Sequence, residues 1–253
     1  MGLFDVFQKK KEKQTVTSER KYLLETDYPI DKSNWFQVYS ACLGPTMIIQ
    51  NACAELVVKN QNWNVDFSKR VIAFGNDEYP VQFLGSEANS DDSWMWGWNN
   101  VNGFDESIIS FAYEVKEIGE AWGLEPLTVP VFELSDTFNG HSLATVACGV
   151  TKHKYCYYRG PHSNGAALMG FSKVTDEVFT PVNLSKFCPT VLNCLQNFHI
   201  DHRIFIESLL MWNGTLYEWN DNKIIAHFEQ DLEITFEQVD EFLRVSGMKS
   251  ITL

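Results

Sequence analysis

Apolar residues recur at helical spacing from 34 to 60, then switch to alternation. In the first segment Gly44-Pro45 interrupts the pattern, and Pro45 suits the first position of a second helical piece carrying Ile48, Ile49, Ala52, Leu56 and Val57. Four strands follow. Trp63, Val65 and Phe67 alternate with polar residues; Val71–Phe74 ends at Gly75-Asn76; Val81 and Phe83 lead to Gly85; and Trp94 to Trp98 forms the fourth. Turn residues separate them at hairpin distances, which predicts an antiparallel meander. Asp105 is placed to cap a helix whose buried face holds Ile108, Ala112, Val115, Ile118 and Trp122, with Gly123 closing it. A further helix is expected from about 138 to 150, and two strands around the turn 160–165.

After residue 178 the pattern restarts. Asn183 is a cap for a helix with Leu184, Phe187, Val191, Leu192 and Leu195, and 203–212 is apolar without a clear period. Short strands are expected at 215–219, 223–228 and 232–236. Thr235 and Gln238 form a capping-box pattern, which predicts a final helix bearing Val239, Phe242 and Leu243. The strand pair around 66–74 is echoed by the one around 218–227. The expected fold is α+β: an antiparallel meander with helices packed on one face, plus a smaller C-terminal α+β unit. The expected divisions are a basic lead-in at 1–20, a Trp-rich domain at 21–178 and the smaller unit at 179–253.

The sharpest local feature is Trp94-Met95-Trp96-Gly97-Trp98-Asn99. In a strand, residues two apart share a face, so the three indoles would form one row. Such a row is either the centre of a core or a stacking platform for a flat ligand such as a base. Gly97 fits either a bulge or a close approach by a ligand or another backbone.

Composition narrows the function. The 253 residues are 45% hydrophobic and 14% aromatic, with a formal net charge of −13. This excludes a disordered chain and argues against nucleic-acid binding, which needs a basic surface. An acidic protein suits a partner with a basic surface. The six cysteines contain no C-x-x-C pair, and several lie in apolar runs; they read as reduced and buried. The apolar start Met1–Phe7 precedes Lys9, Lys10, Lys11 and Lys13, the reverse of a signal peptide, and Val6 stands where a myristoylation motif needs Ser or Thr. No run reaches the length of a spanning helix, and a cytoplasmic location without an integral membrane segment is expected.

Candidate chemistry is sparse. Gly160 and Gly165 have phosphate-loop spacing, but Ala166-Ala167 replaces the required Lys and Ser/Thr. Arg159 and His162 in that segment are candidates for holding an anion. His199, Asp201 and His202 are the best metal-ligand types in the chain, with no complement nearby. No nucleophile motif or paired carboxylate stands out, so no catalytic residue, metal or cofactor is assigned.

The segments Trp63-Asn64-Val65-Asp66, Val81–Ser86 and Ser93–Asn99, followed by Tyr155, Tyr157, Tyr158 and Arg159, resemble an uncharacterised bacterial domain family with a W-x-W-x-W-x-N strand, over about residues 40–175. The resemblance implies a bacterial cytoplasmic setting and no known activity.

The leading expectation is a non-enzymatic binding protein, in its most specific form an inhibitor or immunity-type protein for a basic toxin or nuclease. The alternative is a small-molecule or nucleotide sensor, with Trp94, Trp96, Trp98 and Asn99 stacking the ligand while Arg159 and His162 hold its anionic part. A metal-dependent hydrolase centred on His199, Asp201 and His202 is the third.

Overall fold

A computed structural model describes residues 29–251. The expected lead-in at 1–20 lies outside them. The fold is α+β, as the periodicity predicts. Helix α1 (Trp35–Cys53) opens it, extended by one wide π-type turn at Ala54–Val58. Strands β1 (Trp63–Asp66), β2 (Val71–Phe74), β3 (Asp77–Ala88) and β4 (Ser93–Trp96) follow. Next come α2 (Glu106–Trp122), β5 (Val131–Glu133), α3 (Gly140–Val150), β6 (Cys156–His162) and β7 (Gly165–Phe171). These strands form one antiparallel sheet in the order β1-β2-β3-β4-β5, with β7 on β3 and β6 on β7. The long β3 is its pivot: Asp77–Pro80 pairs with β2, Gly85–Ala88 with β4, and Val81–Ala88 with β7. Helices α4 (Leu184–Asn197) and α5 (His202–Asn213) then lead into β8 (Tyr217–Asn220), β9 (Lys223–Ala226), β10 (Asp231–Val239) and β11 (Phe242–Ile251). These make a separate four-stranded antiparallel sheet.

The expected caps are in place. Asp105 accepts from the Ser107 N–H and Asn183 from the Lys186 N–H, and Gly123 ends α2 at φ +67°. The echo between the two strand pairs extends to hydrogen bonding. The residue after β2 donates to the one before β1 (Gly75 N to Asn62 O), as the residue after β9 does to the one before β8 (His227 N to Leu216 O).

Three expectations are corrected. First, α1 runs unbroken through Pro45. The proline lacks the N–H that would bond the Ala41 carbonyl, yet the helix continues past it, with tertiary packing on both sides. A Cβ on Gly44 would lie 3.0 Å from Phe205 and 3.1 Å from Leu209, so this glycine lets α1 and α5 close together. Second, residues 242–251 form β11, not a helix. Asp240 turns the chain at φ +52°, and β11 pairs with β10 along its length with one bulge at Thr235/Phe236. Nine ladder pairs outweigh the two-residue capping pattern. Third, Trp35–Val58 is long and apolar enough, by length and composition, to cross a bilayer. Half of its most apolar window is buried inside the protein.

That helix is apolar all round because it serves three cores. Trp35, Val38, Ala41 and Cys42 pack with Trp94, Trp96, Phe111 and Leu143. Leu43 and Ile48 pack with Phe205, Leu209, Ile224 and Phe236, and so complete the core under the C-terminal sheet. Cys53 and Val57 join Phe74, Cys156 and Phe171.

Candidate functional site

The tryptophan row is two residues long. Trp94 and Trp96 are fully buried, with ring centroids 5.1 Å apart and planes at 87°. The Trp96 Nε1–H donates to the Pro126 carbonyl at 2.9 Å. Neither ring has a face open to a ligand, which corrects the platform expectation for these two. Trp98 leaves the row, because the chain turns into a short 3-10 segment at Gly97–Asn99 ended by Asn100 at φ +48°. A Cβ on Gly97 would meet the Phe83 carbonyl oxygen at 2.7 Å, so its close approach is to another backbone. The half-buried Trp98 ring lies under the Lys116 ammonium at 4.7 Å, and Asn99 is exposed.

Arg159 and His162 do not converge. Three residues apart on β6, they point to opposite faces of the strand. His162 sits at the exposed hairpin tip, where its Nδ1 accepts from the Asn164 N–H at 3.2 Å. Arg159 closes on Glu87, its Nε and one terminal nitrogen each 2.7 Å from the same carboxylate oxygen. The other Glu87 oxygen accepts the Gly140 N–H at 2.7 Å, at the start of α3. Beside this pair His141 Nδ1 lies 3.3 Å from the Tyr157 hydroxyl. Burial and the Arg159 charge lower the His141 pKa against the pull of Glu87. Burial pushes Tyr157 up to about 12. The cluster is internally neutralised, and that removes Arg159 as a ready anion holder.

The third set is spent on structure. Asp201 caps α5 by accepting the Ile204 N–H at 3.0 Å, and His202 Nδ1 accepts the Val245 N–H at 3.1 Å. His199 packs on Phe36 instead. Among the described residues no three His, Cys, Asp or Glu side chains group as metal ligands.

Three clefts stand out among the described residues. One, about 550 Å³, is lined by Arg203, Glu207 and Tyr217. Its buried Glu207 is bonded by Arg203 at 3.1 Å and by the Trp219 indole at 2.8 Å. A second, about 410 Å³, lies between the end of α1 and α4, where Lys186 reaches Glu55 at 3.2 Å. Both have their charges answered from within.

The third, about 330 Å³, differs. Its walls are Trp35, Phe36 and Tyr39 from α1 and Phe198 from the turn after α4. Trp35 and Tyr39 stand one helical turn apart, and their rings are parallel to within 7°. Asp136, from the loop between β5 and α3, is exposed at this cleft, as is His199. Three of its polar groups are unanswered among the described residues. Trp35 Nε1–H is buried with no acceptor, and no hydrogen bond or ion pair engages the Tyr39 hydroxyl or the Asp136 carboxylate.

A family model described as a family of unknown function, DUF6882, matches residues 37–174. The chain belongs to this family. The DUF6882 match spans nearly all of α1 and the whole of the larger sheet; α4, α5 and the second sheet lie beyond it. The aromatic cleft straddles its edge, with Tyr39 and Asp136 inside and Phe198 and His199 outside. No curated protein and no solved structure matches the chain.

Sequence reasoning missed Glu87, Tyr39 and Asp136. The spacing of Trp35 and Tyr39 on one helix face was the available signal for the cleft; Asp136 lies about a hundred residues away, and only the fold brings it there.

Proposed function

We propose that this protein is a non-enzymatic binding protein for a partner with a basic surface, of the inhibitor or immunity type. One observation carries the reading: the charge of the described residues. Residues 1–28 hold six of the 20 Lys and Arg and five of the 33 Asp and Glu, leaving the remainder at −14. Within the described residues at least nine Lys and Arg side chains lie within 4.0 Å of a carboxylate, among them Arg70, Lys154, Arg159, Lys186, Lys223 and Lys249. The cations are thus largely neutralised, and the surplus acids set the surface potential. Among the described residues Asp92, Glu133 and Asp136 have no ion-pair partner, and they gather around the edge strand β5. A field of one sign speeds encounter with a basic partner and repels acidic ones. A nucleotide-stacking role has less support, since Trp94 and Trp96 are enclosed and Arg159 is paired.

The test is affinity capture from the native host, followed by calorimetry with the identified protein at two ionic strengths. A basic partner whose affinity falls steeply with salt is the expected result. A partner of acidic surface, or a tightly held small molecule and no protein, would overturn the proposal.

A further inference from the structure

We infer that the aromatic cleft is a receptor for a guanidinium group, the side chain of an arginine presented by the basic partner; this rests on the function proposed above. Four features converge. The volume of about 330 Å³ lies within the range of small-ligand sites. The walls are aromatic: Tyr39, Phe36 and Phe198 are half-buried rings lining the cleft, and the buried Trp35 ring stacks parallel to Tyr39 behind them. A guanidinium is planar, weakly hydrated and stacks on aromatic faces, whereas an ammonium is compact and strongly hydrated. Asp136 supplies a carboxylate with no internal partner, able to accept two parallel N–H bonds from the guanidinium fork. Finally, the Tyr39 hydroxyl is a further acceptor that no described residue uses.

The alternatives fit less well. An anionic ligand would meet Asp136 and the acids at β5, with no Lys or Arg among the described residues that line the cleft. A purely apolar ligand would leave the Asp136 and Tyr39 groups without a purpose and bury them without partners. The two larger clefts offer no free charge of either sign that the structure has not already paired.

The experiment uses the full chain and calorimetry with N-acetyl-arginine-N-methylamide, against the citrulline analogue, which has the same shape and no charge. The expected result is saturable binding of the arginine probe, at least ~10-fold tighter than citrulline, as for a charge-assisted pair. Asp136→Asn should weaken the arginine probe by ~10-fold with unchanged thermal melting, because Asp136 is exposed and its side chain holds nothing in the fold. Phe198→Ala provides a second variant that removes a wall. Equal binding of arginine and citrulline, indifference to Asp136→Asn, or no saturable binding would each overturn the inference. If a basic partner is captured that ignores Asp136→Asn and the probe fails, this inference falls and the broader proposal stands. If the probe binds through Asp136 but no basic protein is captured, the protein source is overturned, and so is the broader proposal.

Discussion

Arg159 grips Glu87 across two neighbouring strand pairs, with both of its bonding nitrogens 2.7 Å from one carboxylate oxygen. The second oxygen of Glu87 is committed to the first N–H of α3. The acid therefore ties β3, β6 and α3 into one corner and places a negative charge at a helix N-terminus, where it is favoured. Its side chain is 9% exposed, while that of Arg159 is 36% exposed. The two halves of the pair consequently differ in what they cost to remove.

Arg159→Ala should destabilise the protein by about 2–4 kcal/mol, because it strands a buried carboxylate with one donor. Glu87→Gln should cost less, since the amide still accepts from Gly140 and the arginine is free to turn toward water. Urea unfolding of both variants checks the order. A smaller loss for Arg159→Ala than for Glu87→Gln would contradict this account.

Trp96→Ala should cost about 3–5 kcal/mol, the range for emptying a buried aromatic site. The indole is fully enclosed and also loses its bond to Pro126. Trp98→Ala should cost clearly less, because Trp98 is half-buried and lies outside the strand. Thermal melting compares them directly.

The thiols give an independent check on packing. Five cysteines are buried and Cys188 is half-buried, all six as free thiols. Burial raises the Cys188 pKa, and it pushes Cys194 up to about 12. Slow reaction of Cys188 alone with a thiol reagent is expected in the native protein, with all six reacting on denaturation. Rapid native labelling of several thiols would contradict the packing described here.

Element types were legible where periodicity ran long. The face of α2, the caps at Asp105 and Asn183 and the meander at 63–88 all follow from local pattern. Failures came where tertiary contact overrode local chemistry. Pro45 reads as a helix start, but packing against α5 carries the helix through it. Thr235 and Gln238 read as a cap, but β11 supplies a ladder that no short-range signal announces. The Trp row reads as three residues because the turn after Trp96 is set by contact of Gly97 with β3. For the cleft, sequence shows only the Trp35–Tyr39 face. Asp136 and Phe198 reach it through the packing of two distant loops.

The last prediction concerns pH. Burial, the nearby Arg244 charge and His199 lower the His202 pKa to about 4, while Asp201 pulls it upward. The neutral ring is also required by geometry, since Nδ1 accepts the Val245 N–H that joins β11 to the start of α5. Above the ordinary histidine value of 6.5 the folded and unfolded chains are both neutral here, and this contribution to stability is complete. As pH falls from there toward about 4, the unfolded chain takes up a proton that the folded chain refuses, so stability declines. Below about 4 both forms are protonated and the loss levels off. His141, lowered in the same direction, adds to the decline. His202→Asn keeps an acceptor near Nδ1 but cannot titrate. Unfolding free energies at about pH 7 and about pH 5 should therefore differ less in this variant than in the parent. An unchanged or steeper difference would show that His202 is not held neutral by the fold.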